Sequence, residues 1–211
     1  MEISGFSGGL YRLMDWISKM ALLNILWIVF TALGLFVFGF FPATIAMFAV
    51  VRKWIYVGDD VPAVKVFWSS YKREFLKSNL LGLAVFAIGG VLYIDFLFVR
   101  HALTGPISLL YAPLMILMLI FLFMLFYIPP IFVHYDMKIS QVIKSSFFVM
   151  IMNPLSTVCM AVGAFGICFI LSYAPPIAIL FSGNLIALIT MKFASKSFEK
   201  VDRKSQLLLQ K

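Results

Sequence analysis

The chain has 211 residues, of which 63% are hydrophobic, 17% aromatic and 12% charged, with a mean hydropathy of +1.04 and a net charge of +8. Soluble domains carry about 25% charged and about 45–50% apolar residues, so a soluble core could not hold this much apolar side chain, and the solvent must be lipid. The length fits one compact unit, and the composition excludes disordered, collagen-like and disulfide-stapled chains.

The positive charge invites a nucleic-acid reading, but its distribution argues against one. Six of the 17 basic residues lie between Arg52 and Lys77, two are Lys138 and Lys144, and six run from Lys192 to the end. These are the gaps between apolar runs, the pattern that the positive-inside rule produces in cytoplasmic loops. The excess charge therefore points to a lipid bilayer as partner and to a cytoplasmic C-terminus.

The N-terminal apolar stretch is far longer than the 7–15-residue core of a cleavable signal, so it is expected to stay as a membrane segment. Residues 21–51 carry no charge, and Pro42 is placed to end one helix and open the next. The sequence thus predicts a span over 21–41, then an interfacial helix over 43–57 with Arg52 and Lys53 among lipid headgroups. Residues 80–99 form the second span, broken only by Asp95. Gly105-Pro106 precedes a third over 107–131, which ends at Pro129-Pro130. The 47 uncharged residues from Ser145 to Met191 hold two more, over 155–171 and 176–191, with the turn at Pro175-Pro176. The basic tail, 192–211, places Lys192, Lys196 and Lys200 in a helical stripe against anionic headgroups. The expected architecture is all-α: a polytopic transmembrane helical bundle of about five spans plus amphipathic interfacial helices, forming one integral membrane domain over 1–211. Five spans put the N-terminus outside; if 43–57 crosses as well, the N-terminus moves inside.

Between the first two spans, Asp59-Asp60-Val61-Pro62 reads as a helix start. Val64, Phe67, Trp68, Tyr71 and Phe75 then recur at helical spacing, with lysines and arginine on the other face. The segment 61–77 reads either as a membrane-parallel connector or as a partner-docking helix, with Phe67, Trp68, Tyr71 and Lys72 as the candidate contacts. Asp60 followed by Ser69-Ser70-Tyr71 has a counterpart at identical spacing in Asp136 followed by Ser145-Ser146-Phe147, a weak internal repeat.

Three polar residues fall at membrane depth. Asn24 and Asn184 suit interhelical hydrogen bonds, with substrate binding as the sharper alternative. Asp95 either snorkels to the outer interface or forms a proton or cation site. His134-Tyr135-Asp136 is a weak metal signal, and Cys159 and Cys168 sit nine residues apart on opposite faces of one helix. No serine, histidine and acid set and no Gly-rich phosphate loop is present, so neither an enzyme, a cofactor nor a metal centre is expected.

The run Phe41-Pro42-Ala43-Thr44 through Arg52-Lys53-Trp54, followed by Asp59-Asp60-Val61-Pro62, Phe67-Trp68 and Asn79-Leu80-Leu81-Gly82, resembles the YesL family of bacterial membrane proteins, a family of unknown function. The resemblance covers the whole chain in size and order of spans, with its specific part at residues 41–82. It implies a multi-pass protein of the bacterial plasma membrane in a carbohydrate-uptake context, with no catalytic residues to carry over. The expected function is a noncatalytic accessory or scaffold component that associates with sugar ABC transporter subunits. The alternative is a small-solute channel or permease acting as a homo-oligomer.

Overall fold

The computed structural model describes residues 6–58, 60–101 and 110–209. Among these residues the chain is all helical: α1 (Phe6–Leu33), α2 (Val37–Tyr56), α3 (Ala63–His101), α4 (Tyr111–Leu125), α5 (Ile128–His134), α6 (Ile139–Met152), α7 (Pro154–Ser172) and α8 (Pro175–Leu209). The expected helix start at Asp59 and the Gly105-Pro106 break fall partly or wholly outside the described residues.

Prolines open three of the helices in the place that tolerates them. Pro154 and Pro175 begin α7 and α8, and Pro129 and Pro130 sit in the first turn of α5, where a missing N–H leaves nothing unsatisfied. α6 starts at Lys138, whose backbone N–H donates to Gln141 Oε1 at 3.0 Å.

α2 lies at the centre, packed on α1, α3, α5 and α8. One apolar cluster joins Leu23, the α2 residues Ala43, Ala46, Met47, Phe48, Val50 and Val51, Phe67, Ala187 and Met191. A second joins Ile45, Leu81, Tyr127, Ile131, Val142, Met160 and Phe198. α2 and α8 contribute to both, so the two clusters form one continuous interior. Large apolar side chains cover the outside, among them Leu33, Leu83, Phe98, Phe165 and Phe169. Such a surface suits hydrocarbon, where a helix is tolerated because its backbone polar groups are satisfied internally.

By length and composition, six described segments are long and apolar enough to cross a membrane: Gly9–Leu33, Val37–Tyr56, Ala63–Arg100, Tyr111–His134, Pro154–Ser172 and Pro175–Val201. Their polar ends gather at one pole of the bundle. Lys19 reaches Asp60 at 3.9 Å, Lys77 reaches Asp136 at 2.8 Å, and Tyr56 lies against His134, which lies against Phe198. The tight turns at Gly34–Phe36 and Tyr173–Ala174 lie at the opposite pole. α1 and α8 run antiparallel, because Asn24 pairs with Ile179 and Asn184 with Met20. The start of α1 and the end of α8 therefore share the charged pole.

Several sequence expectations need correction. The span expected over 21–41 is broken at Gly34–Phe36, and α1 starts well before it. Pro42 does not stop a helix: it is the sixth residue of α2 and removes only the bond to Phe38. What turns the chain is close contact between Gly34 and Gly39, with Leu35 and Phe36 at φ of 56° and 60°. The separate interfacial helices over 43–57 and 61–77 are absent: the first belongs to α2, and the second is continuous with 80–99 in the 39-residue α3. The expected third span divides at Phe126–Tyr127 into α4 and α5. α7 coincides with the expected 155–171, whereas α8 runs on from 176–191 through most of the basic tail. The short amphipathic helix is instead α6, whose two ends both lie at the charged pole.

Candidate functional site

A cavity of about 650 Å³ opens at the charged pole, between α2, the first half of α3 and the end of α5. Its position follows from the antiparallel pairing of α2 with α3. Phe41 packs on Phe86, so the second half of α2, with Ala49, Arg52 and Lys53, lies along the first half of α3, from which Ser69, Ser70, Arg73 and Lys77 line the cavity. α5 runs parallel to α2, and its end and the connection that follows add Phe132 to Asp136 on the third side. The floor is apolar, from Ile45, Val66 and Val133, and the walls are polar.

Four cations stand in those walls: Arg52, Lys53, Arg73 and Lys77. Two have carboxylate partners, Arg73 Nε with Glu74 Oε1 at 2.7 Å and Lys77 Nζ with Asp136 Oδ1 at 2.8 Å. The Lys77 ammonium holds the Asp136 carboxyl below the usual carboxylate range, by hydrogen bond first and charge second. Arg52 stacks over the Tyr56 ring at 5.9 Å, and its Nε is buried without a hydrogen-bond partner. Neither Arg52 nor Lys53 has a carboxylate partner among the described residues. His134 sits among the rings of Tyr56, Tyr135 and Phe198. Beneath the cavity, Tyr127 and Thr157 hydrogen-bond through their hydroxyls at 3.1 Å, tying α7 to the α4–α5 break.

The structure distributes the expected site residues unevenly. Arg52 and Lys53 line the cavity instead of merely flanking headgroups. Of the four docking candidates, Phe67 is fully buried, and Tyr71 is buried with its hydroxyl donating to the Phe30 carbonyl at 3.2 Å. A docking face on α3 therefore reduces to Trp68 and Lys72, whose ammonium lies 4.3 Å from the indole ring centre. Asn24 Nδ2 donates to the Ile179 carbonyl at 2.6 Å, and Asn184 Nδ2 donates to the Met20 carbonyl; both amides join α1 to α8. Asp95 is exposed on the half of α3 away from the charged pole. Lys192 is exposed, and Lys196 and Lys200 line a second, shallower hollow between α7 and α8 with Glu199 and Arg203. Among the described residues no group of three His, Cys, Asp or Glu is placed to hold a metal ion, and Cys159 and Cys168 are free thiols.

Sequence reasoning missed Arg73, Lys77, Ser70 and Asp136 as one constellation. The repeat was its signal: α3 and α6 each begin three residues after Asp60 and Asp136, and Ser70 and Ser146 are both buried.

The family described as protein of unknown function, DUF624, matches residues 20–96, the stretch that holds the second half of α1, all of α2 and most of α3. Among curated proteins of Bacillus subtilis (strain 168), the chain is 40% identical to the uncharacterized protein YteU over 96% of its own length and 91% of the relative's. It is 36% identical to the uncharacterized protein YesL, over 98% of the chain and 97% of that protein, and 34% identical to the uncharacterized protein YesV, over 92% and 93%. No solved structure matches.

Proposed function

The chain belongs to the YesL-like DUF624 family, and we propose that it is a noncatalytic accessory or scaffold subunit of the bacterial plasma membrane. It crosses the bilayer six times, with the start of α1, the end of α8 and the charged pole in the cytoplasm. The basic loops support this orientation through the positive-inside rule. A crossing by α2 moves the N-terminus to the same side as the C-terminus, in line with the antiparallel pairing of α1 and α8.

The observation that carries the reading is where the polar groups lie. The amides at membrane depth, Asn24 and Asn184, are engaged with backbone carbonyls across one helix pair, whereas the polar cavity and the exposed Trp68–Lys72 pair lie toward the charged pole. A conduction path would need several polar or ionisable groups facing a shared passage. A cytoplasmic working face needs only what is gathered at that pole. The carbohydrate-uptake context comes from the family resemblance, and it makes the membrane subunits of a sugar ABC transporter the expected partner.

Site-specific photocrosslinking from positions 68 and 72 in cells, beside solute-flux assays on the purified protein in vesicles, tests this. The expected result is a transporter subunit in the crosslink and no flux above empty vesicles. Flux by the purified chain, abolished by Asn184→Leu while the fold persists, would establish the oligomeric permease instead.

A further inference from the structure

The geometry points to the cavity between α2, α3 and α5 as a binding site for a phosphate ester of a polyol. Three observations converge on that ligand class. The first is charge. Four cations face two carboxylates there, leaving a lining charge of +2, which complements the charge of about −1.5 to −2 on a phosphate monoester at pH 7.

The second is the state of the donors. Arg73 and Lys77 are held in place by Glu74 and Asp136, so they contribute field and orientation, while Arg52 and Lys53 have no carboxylate of their own among the described residues. Arg52 Nε is buried and lacks a hydrogen-bond acceptor. A guanidinium with an unmet donor in a cavity wall calls for an oxyanion, which it can engage through two parallel N–H groups.

The third is shape. A volume of about 650 Å³ is in the ordinary range for small-ligand sites and much larger than a bare phosphate needs. The Ser69 and Ser70 hydroxyls and the apolar floor at Ile45 and Val133 offer the remainder a surface of mixed character, as a sugar or glycerol body requires. The ligand is either a soluble sugar or glycerol phosphate or the head of a phosphatidic-acid-type lipid, since both present the same phosphomonoester. This assignment is independent of which side of the membrane the charged pole faces and of any protein partner.

The test uses the full chain in nanodiscs of neutral lipid, in phosphate-free buffer. One arm titrates glycerol 3-phosphate by calorimetry against sodium sulfate at matched ionic strength. The other replaces a fraction of the neutral lipid with phosphatidic acid and counts retained lipids by native mass spectrometry. The variants are Arg52→Gln, Lys53→Gln and, as a control outside the cavity, Lys65→Gln. Lys53 is exposed, so Lys53→Gln stays informative should Arg52→Gln fail to fold. The proposal expects saturable binding in at least one arm, weakened tenfold or more by Arg52→Gln and several-fold by Lys53→Gln, and unchanged by Lys65→Gln. Binding in the first arm identifies a soluble ester, and binding confined to the second identifies a lipid head. Absence of saturable binding in both arms overturns the proposal, as does binding that sulfate matches or that a folded Lys53→Gln leaves unchanged.

Discussion

At the scale of single residues, two glycines shape the α1–α2 turn and two amides join α1 to α8. A Cβ on Gly39 would meet the Phe30 carbonyl at 2.7 Å and crowd Thr31 and Gly34, all backbone atoms that cannot step aside. Overpacking of this kind costs about 1–3 kcal/mol, so Gly39→Ala should lower stability by that much in a reversible detergent-unfolding titration. Gly90, also helical, has nothing within 4 Å of the same added atom. Gly90→Ala should therefore be neutral or stabilising by up to about 1 kcal/mol, and equal losses at both positions would refute the steric account. Asn184 presents a different balance. Its side-chain donor reaches Met20, but its Oδ1 is buried without a partner. Asn184→Leu removes a favourable bond and an orphaned acceptor together, so it should cost less than Asn184→Ala, which also leaves a void. About 1–2 kcal/mol is expected for the alanine. That Asn24 and Asn184 would join helices was legible in the sequence, because a polar amide in a long apolar run has few other uses. That they join each other's helices was not, since nothing local pairs positions 160 residues apart.

At the scale of elements, the sequence signalled helices well and their ends less well. α7 was legible because Asn153-Pro154 and Pro175-Pro176 bracket a run of the right length. The α1–α2 turn was not, because Pro42 is a louder signal than Gly34, although proline early in a helix removes a single bond while the two glycines permit a backbone crossing that larger residues forbid. The length of α3 was hidden for a related reason: a change from amphipathic to fully apolar pattern at Asn79 looks like a boundary, yet one helix of about 58 Å carries both. Its polar half is held to the α5–α6 connection by Lys77 and Asp136. Because the folded Asp136 carboxyl titrates below its ordinary range, the stabilisation it gives is present at neutral pH and disappears as the pH falls through that lowered value. The pair is exposed and screened, so its effect is small. The difference in unfolding midpoint between wild type and Asp136→Asn should be positive and steady from pH 7 to pH 5 and should shrink on further acidification. A difference that grows toward acid would mean that Lys77 does not set the carboxyl's titration.

For the whole molecule, the decisive quantity is the number of crossings, because it fixes which pole each terminus occupies. α2 spans 20 residues, or about 30 Å, which matches the hydrocarbon thickness. Its Arg52 and Lys53 lie at the same pole as Lys77 and Asp136. An interfacial α2 would lie flat and could not pack on α1 on one side and on α3 on the other, as it does through Trp27–Phe40 and Phe41–Phe86. The proposed topology has six crossings with a cytoplasmic charged pole, and single-cysteine labelling distinguishes it from five. In a background of Cys159→Ser and Cys168→Ser, cysteines replace Leu10, Leu35, Val57 and Tyr173, all exposed side chains. A membrane-impermeant maleimide applied to intact cells should modify positions 35 and 173, at the turns of the far pole, and should reach 10 and 57 only after permeabilisation. Labelling of position 10 in intact cells with position 57 protected would restore five crossings and the external N-terminus. The opposite pattern throughout, with 10 and 57 labelled and 35 and 173 protected, would keep six crossings but invert them, placing the cavity and the Trp68–Lys72 pair outside the cell and removing the basis for a cytoplasmic partner.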